Sequence, residues 1–163
     1  MNTIPFLNLP LEYSWGTKYY QLLDYYTSRK IVIFERKSGI LSTESMIGLE
    51  DEWEKIRFKA YLMFGRILKK LNHCTLIIPH DISKFDSADF VRTYNILINK
   101  LGKPTIQKGM TTIELEKHEN YFAVRPEELP YFEWSFDSCI LKHRFIDHWG
   151  NGPKTTLEPN RKR

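Results

Sequence analysis

Between residues 50 and 79, EDEWEKIRFKAYLMFGRILKKLNHCTLIIP, the apolar residues Trp53, Ile56, Ala60, Met63, Phe64, Ile67, Leu68 and Leu71 recur in steps of three, four and one. This spacing predicts an amphipathic helix over 50–71, because a period of about 3.6 residues gathers them on one face. Its acidic start (Glu50, Asp51, Glu52, Glu54) and basic finish (Lys69, Lys70) suit the helix dipole. Asp51 with Lys55 and Glu54 with Arg57 add ion pairs at helical spacing. The run that follows, Thr75 to Ile78, is too short for a helix and too apolar for a surface strand, so an interior strand is expected over 74–78.

The remaining pattern is read around that unit. Residues 1–16 hold Pro5, Pro10 and Gly16 among apolar neighbours and suit an extended segment. From 17 to 30, Tyr19, Leu22, Leu23 and Tyr26 have helical spacing, although a strand, turn and strand would fit equally; Ile31 to Glu35 reads as a strand. Ser42 or Thr43 can begin helical structure that Gly48 interrupts. Asp86 or Ser87 caps a helix over 87–101, whose face is Phe90, Val91, Tyr94, Leu97, Ile98 and Leu101 and whose end is marked by Gly102 and Pro104. Ile113 and Leu115 alternate with polar residues over 111–116, and with Tyr121 to Val124 they predict a hairpin. Glu127 to Leu129, between Pro126 and Pro130, suits a helical turn, and a strand then a short helix are expected between Tyr131 and Trp149.

The resulting β-α-β-α-β order predicts a mixed α/β fold: a small mixed sheet with parallel β-α-β units, an antiparallel hairpin and packed amphipathic helices. A single compact domain over 1–149 is expected, with a flexible basic tail over 150–163 that holds Gly, Pro, Arg161, Lys162 and Arg163.

Composition narrows the class. A 163-residue chain with 42% hydrophobic residues and 14% aromatics can build a core without staples. No apolar run approaches roughly 18 residues, and the N-terminus lacks the pattern of a cleaved signal, so a soluble cytoplasmic protein with no membrane partner is expected. Cys74 and Cys139 form no CxxC pair, and Cys74, at the head of the expected core strand, reads as a buried free thiol in preference to a disulfide. The net charge of +4 comes largely from the terminal Arg161, Lys162 and Arg163, which makes nucleic acid a lesser expectation than a protein partner.

If the strands are parallel, ligands collect at their carboxyl ends, where Glu35, Arg36 and Lys37 follow one strand and His80 and Asp81 follow another. Asp24, Glu35 and Lys37 are the sharpest arrangement for chemistry. Two carboxylates can hold a divalent metal, and a lysine beside them can orient an attacking water. The strand-turn-strand, helix and strand around these residues is similar to the core of restriction-endonuclease-like nucleases, whose D…(D/E)xK pattern Asp24, Glu35 and Lys37 match. That resemblance covers about a third of the chain and implies Mg²⁺-dependent phosphodiester cleavage. The residues on their own also read as an ordinary charged turn and a solvated aspartate.

The histidines His73, His80, His118, His143 and His148 form no HExxH spacing, and no metal site is expected from them. His80 beside Asp81 has no nucleophile to complete a catalytic group, and GxSxG, GxxxxGK[ST] and GxGxxG do not occur. The aromatic N-terminal stretch suits a binding surface, since tyrosine contributes large contact area at small entropic cost. The expected function is therefore a noncatalytic protein-binding module needing no cofactor. It would act as a small inhibitor of the immunity-protein type that neutralises a toxin or enzyme, with Tyr19, Tyr25, Arg36, Lys37, His80 and Asp81 as contact residues. The alternative is the metal-dependent nuclease, with Mg²⁺ as its cofactor.

Overall fold

A computed structural model describes residues 15–39, 44–53, 56–77, 87–117, 124–137, 139–145 and 153–160. Contacts gather the chain into two compact units, Met1–Leu76 and Ile77–Arg163. All registered strand pairs among the described residues are antiparallel. The expected α/β fold with parallel β-α-β units is thereby corrected to antiparallel sheet with three short helices.

The first unit opens with α1 (Tyr19–Ser28), followed by β1 (Val32–Lys37), β2 (Ser45–Trp53), β3 (Ile56–Phe64) and β4 (Leu71–Ile77). These strands lie side by side in chain order, as a meander does. Tyr19, Leu22, Tyr25 and Tyr26 form the buried face of α1. The Tyr19 ring meets the Phe64 ring edge-on at 5.3 Å. This seats the helix on the sheet face made by Ser45, Ile47 and Leu49 of β2 and Ala60, Leu62 and Phe64 of β3, all buried.

The helix expected over 50–71 does not form. Its residues belong to β2, β3 and the turn before β4, and the period-two series Ala60, Leu62, Phe64 faces inward. Residues spaced by four are also spaced by two, so Ala60 and Phe64 satisfy both templates. The decisive positions are Ile67 and Leu68: a helix would have buried them, yet they stand 78% and 65% exposed on the β3–β4 turn. Glu50, part of the acidic start expected for that helix, lies instead on β2 opposite Lys59 of β3. The helical start expected at Ser42 or Thr43 lies outside the described residues, and Gly48, expected to interrupt it, is a strand residue of β2.

The second unit contains α2 (Ser87–Leu101), β5 (Ile106–Lys108), α3 (Thr112–Glu116), a single 3-10 turn (Pro126–Glu128), β6 (Tyr131–Ser135), β7 (Cys139–Phe145) and β8 (Pro153–Pro159). The strands lie in the order β8-β7-β6-β5. The strand at 31–35, a strand over most of 74–78, the helix at 87–101 and the turn at 127–129 stand where they were expected, within a few residues; Ile78 lies outside the described residues. Gly102 takes φ +79° and donates its N–H to the Ile98 carbonyl, which is how a glycine closes a helix.

Three expectations for this unit are corrected. Residues 112–116 form a helix rather than a strand, because Thr111 and Glu114 make a reciprocal capping box. The segment after β6 is β7, whose strict alternation of buried and half-buried residues marks a strand and not a short helix. Within the expected tail, Pro153–Pro159 is β8, paired residue for residue with β7. In the core, Phe90 of α2 stacks on the His143 ring at 4.2 Å and meets the Phe145 ring edge-on at 5.4 Å.

Candidate functional site

The most exposed regular element of the first unit is β1, whose residues except Ile33 are exposed. It is the outermost strand, with β2 as its strand neighbour. Its register on β2 shifts between Ile33, opposite Leu49, and Glu35, opposite Gly48, so Phe34 is the extra residue of a β-bulge. A bulge re-aims side chains, and this one sends Phe34 over the sheet face away from α1. The glycine makes room for it: a Cβ on Gly48 would lie 2.7 Å from the Phe34 ring. The ring then meets Tyr61 edge-on at 5.5 Å, and the Lys59 ammonium stands 5.1 Å above it.

The register extends this into a patch. Lys37 lies opposite Met46, Met46 opposite Met63, Gly48 opposite Tyr61, and Glu50 opposite Lys59. Phe34 is 38% exposed and Val32, at the start of the same strand, 58%. Met46, Tyr61 and Met63 are half-buried. An aromatic and thioether centre is thus bordered by Glu35, Lys37, Glu50 and Lys59. The Lys59–Glu50 pair, at 4.0 Å and exposed on both sides, contributes little to stability and leaves both charges available.

Of the expected contact residues, Arg36 and Lys37 lie exposed on β1. Tyr19 and Tyr25 do not: both are buried on the inner face of α1, because the same helical spacing that groups them turns them toward the sheet. The Tyr19 hydroxyl is pushed up in pKa first by that burial. His80 and Asp81 lie outside the described residues. Phe34, Tyr61 and Met63 were missed as surface residues, and the signal available was Gly48, a glycine within a strand.

Asp24, Glu35 and Lys37 are all exposed. Asp24 is on the solvent side of α1, which packs on the inner sheet face, whereas Glu35 lies beside Gly48 on the outer face. Asp24 and Glu35 therefore belong to different elements of the first unit. Among the described residues no three His, Cys, Asp or Glu side chains form a group able to hold a metal.

The other reactive side chains are occupied by packing. Cys74 and Cys139 are buried and in no disulfide, and burial raises the Cys74 thiol well above its ordinary pKa, keeping it protonated and inert. His73 is on β4 and shares a hydrogen bond of 3.0 Å between Nε2 and Thr75 Oγ1. His143 is fully buried: Nε2–H donates to the Phe90 carbonyl at 3.1 Å, and Nδ1 accepts from Thr155 Oγ1 at 2.9 Å. A carbonyl can only accept, so Nε2 carries a proton; burial disfavours the charged ring, which leaves Nδ1 as the acceptor. No helix among the described residues is long and apolar enough to cross a membrane. No protein-family model, curated protein or solved structure matches the chain.

Proposed function

We propose that this chain is a noncatalytic protein-binding module that acts as a small inhibitor, covering a working surface of a toxin or enzyme with its first unit. The observation that carries this reading is the β1 patch. An outermost strand exposes Val32 and Phe34, continues into Met46, Tyr61 and Met63, and is rimmed by charges of both signs. That is the anatomy of a protein–protein contact: an apolar centre enriched in aromatic and methionine side chains within a polar border. An outermost strand also offers backbone hydrogen bonds to an extended segment of a partner, while its side chains select which segment is accepted. Arg36 and Lys37 fit the same role, since charges on a strand edge discourage indiscriminate pairing and leave docking to a partner with matching acids.

The test is capture with the tagged full chain, compared with a Val32→Lys/Phe34→Ser variant whose melting temperature is matched to wild type. A protein retained by wild type alone is purified, titrated against the chain and assayed for its own activity. Saturable binding with loss of that activity is expected, and the double variant should bind at least about 30-fold more weakly, as removal of a central anchor does. Cleavage of nucleic acid that requires Mg²⁺ and disappears in Glu35→Ala/Lys37→Ala would replace this reading with the nuclease.

A further inference from the structure

At the far end of the β2–β3–β4 meander, the chain turns through Arg66, Ile67, Leu68 and Lys69. The turn is closed on both sides: Gly65 N–H donates to the Lys70 carbonyl at 2.8 Å, and Lys69 N–H donates to the Gly65 carbonyl at 3.1 Å. Lys69 takes φ +47°, the left-handed conformation that ends a four-residue hairpin loop. The tip is thus a built turn, and it presents two adjacent large aliphatic side chains to solvent, at 78% and 65% exposure.

A collar of positive charge surrounds these two residues. Arg66 and Lys70 are exposed, and Lys18, also exposed, is bridged to Lys70. The Lys69 ammonium donates to Ser38 Oγ at 2.8 Å and stands 5.7 Å over the ring of Tyr20, itself an exposed aromatic. The nearest acid by register is Glu44, which precedes the Ser45–Phe64 pair at the base of the hairpin. Among the described residues, four cations therefore accompany one carboxylate around an apolar tip.

We infer that this hairpin tip docks the protein on an anionic lipid surface, with Ile67 and Leu68 inserted among the acyl chains and Lys18, Arg66, Lys69 and Lys70 at the headgroups. Two convex aliphatic side chains on one turn need no shaped pocket, and a bilayer supplies none. A basic collar adds the second attraction that weak insertion requires for stable binding. Tyr20 beside Lys69 suits the boundary layer, where a ring with one polar end is favoured. This is peripheral attachment by a loop, and it departs from the expectation of no membrane partner, which rested on the lack of a spanning segment. It is also separate from the β1 patch.

The test is co-sedimentation of the full chain with vesicles of phosphatidylcholine alone or mixed with phosphatidylglycerol. Partition into the anionic vesicles only is expected, weakening as salt rises. Ile67→Ser/Leu68→Ser should lower the partition at least tenfold without lowering the melting temperature, since neither side chain is packed. Arg66→Gln and Lys70→Gln should each lower it roughly fivefold. Leu68→Trp should show a blue-shifted emission on binding. Val32→Lys/Phe34→Ser should bind vesicles as wild type does, so the two proposals fail independently. Three results would each overturn the inference: no partition at low salt, partition indifferent to Ile67 and Leu68, or a tip variant that loses only capture of an acidic protein.

Discussion

The two positive-φ lysines show how a single residue can be strained for a purpose or merely tolerated. Lys30 follows α1 in the left-handed conformation at φ +56°. Its N–H donates to the Thr27 carbonyl, and the N–H of Ile31 donates to that of Tyr26, the paired bonds of a Schellman closure. Glycine is the residue that this position favours, and Lys30 is exposed. Lys30→Gly is therefore expected to stabilise the protein by about 1 kcal/mol, read from urea unfolding. Gly109 is the opposite case, because at φ +72° a Cβ there would lie 2.1 Å from the Leu129 carbonyl oxygen. Both the dihedral and the space exclude a side chain, and the opposing atom is backbone that cannot swing away. Gly109→Ala should cost more than about 2 kcal/mol, well beyond a simple left-handed penalty, and should broaden the amide resonances of 126–129. An alanine tolerated within about 0.5 kcal/mol would show that the 3-10 turn yields.

At the scale of elements, the β2–β3 hairpin explains both the main error of the sequence reading and its limits. Ala60, Phe64 and Leu71 fit a helical face, and the burial of Leu62 with the exposure of Ile67 and Leu68 distinguishes the hairpin from the helix. Sequence shows spacing but not which apolar residues stay wet. The second helix was legible because its signals agreed: a continuous apolar face, Gly102 past its end and Pro104 beyond. For α3, the capping pair Thr111 and Glu114 was present, but a five-residue helix contributes too little periodicity to outweigh the alternation of Ile113 and Leu115. The site was half legible. Arg36 and Lys37 were found as charges at a strand end, whereas Phe34 reaches the outer face through a bulge that no spacing announces. Phe64 is central under both readings, fully buried and in edge contact with Tyr19. Phe64→Ala should destabilise by about 3–5 kcal/mol and lower the denaturant midpoint accordingly. A loss below about 1 kcal/mol would place the core of the first unit elsewhere.

For the whole molecule, the sequence order suggested strands joined by crossover helices, and the chain instead makes antiparallel neighbours in both of its compact units. Each unit buries one helix against its sheet, and in the second the buried layer includes an ionisable group. His143 is held neutral, its pKa pushed down to about 4 first by burial, with the Phe90 carbonyl acting in the opposite direction. In the unfolded chain the same ring titrates near its ordinary value of about 6.5. Above that pH neither state binds the proton, and stability does not depend on this group. Below it the unfolded chain takes up a proton that the folded chain refuses, so stability falls as pH drops from 6.5 and levels off below 4. The loss over that window is about 3 kcal/mol. Glu114 is also perturbed, but its backbone hydrogen bond to Thr111 lowers its pKa, so its loss begins below the ordinary carboxylate value. Among the described groups with a perturbed pKa, His143 is the one that titrates between pH 6.5 and 5. Urea unfolding across this interval should show stability falling with acid, with amides of β7 losing exchange protection. His143→Gln keeps a donor and an acceptor at the site without a titrating ring, so it should lower stability at pH 7 yet flatten its dependence on pH. An unchanged slope in that variant would mean that the buried ring is not what acid acts on.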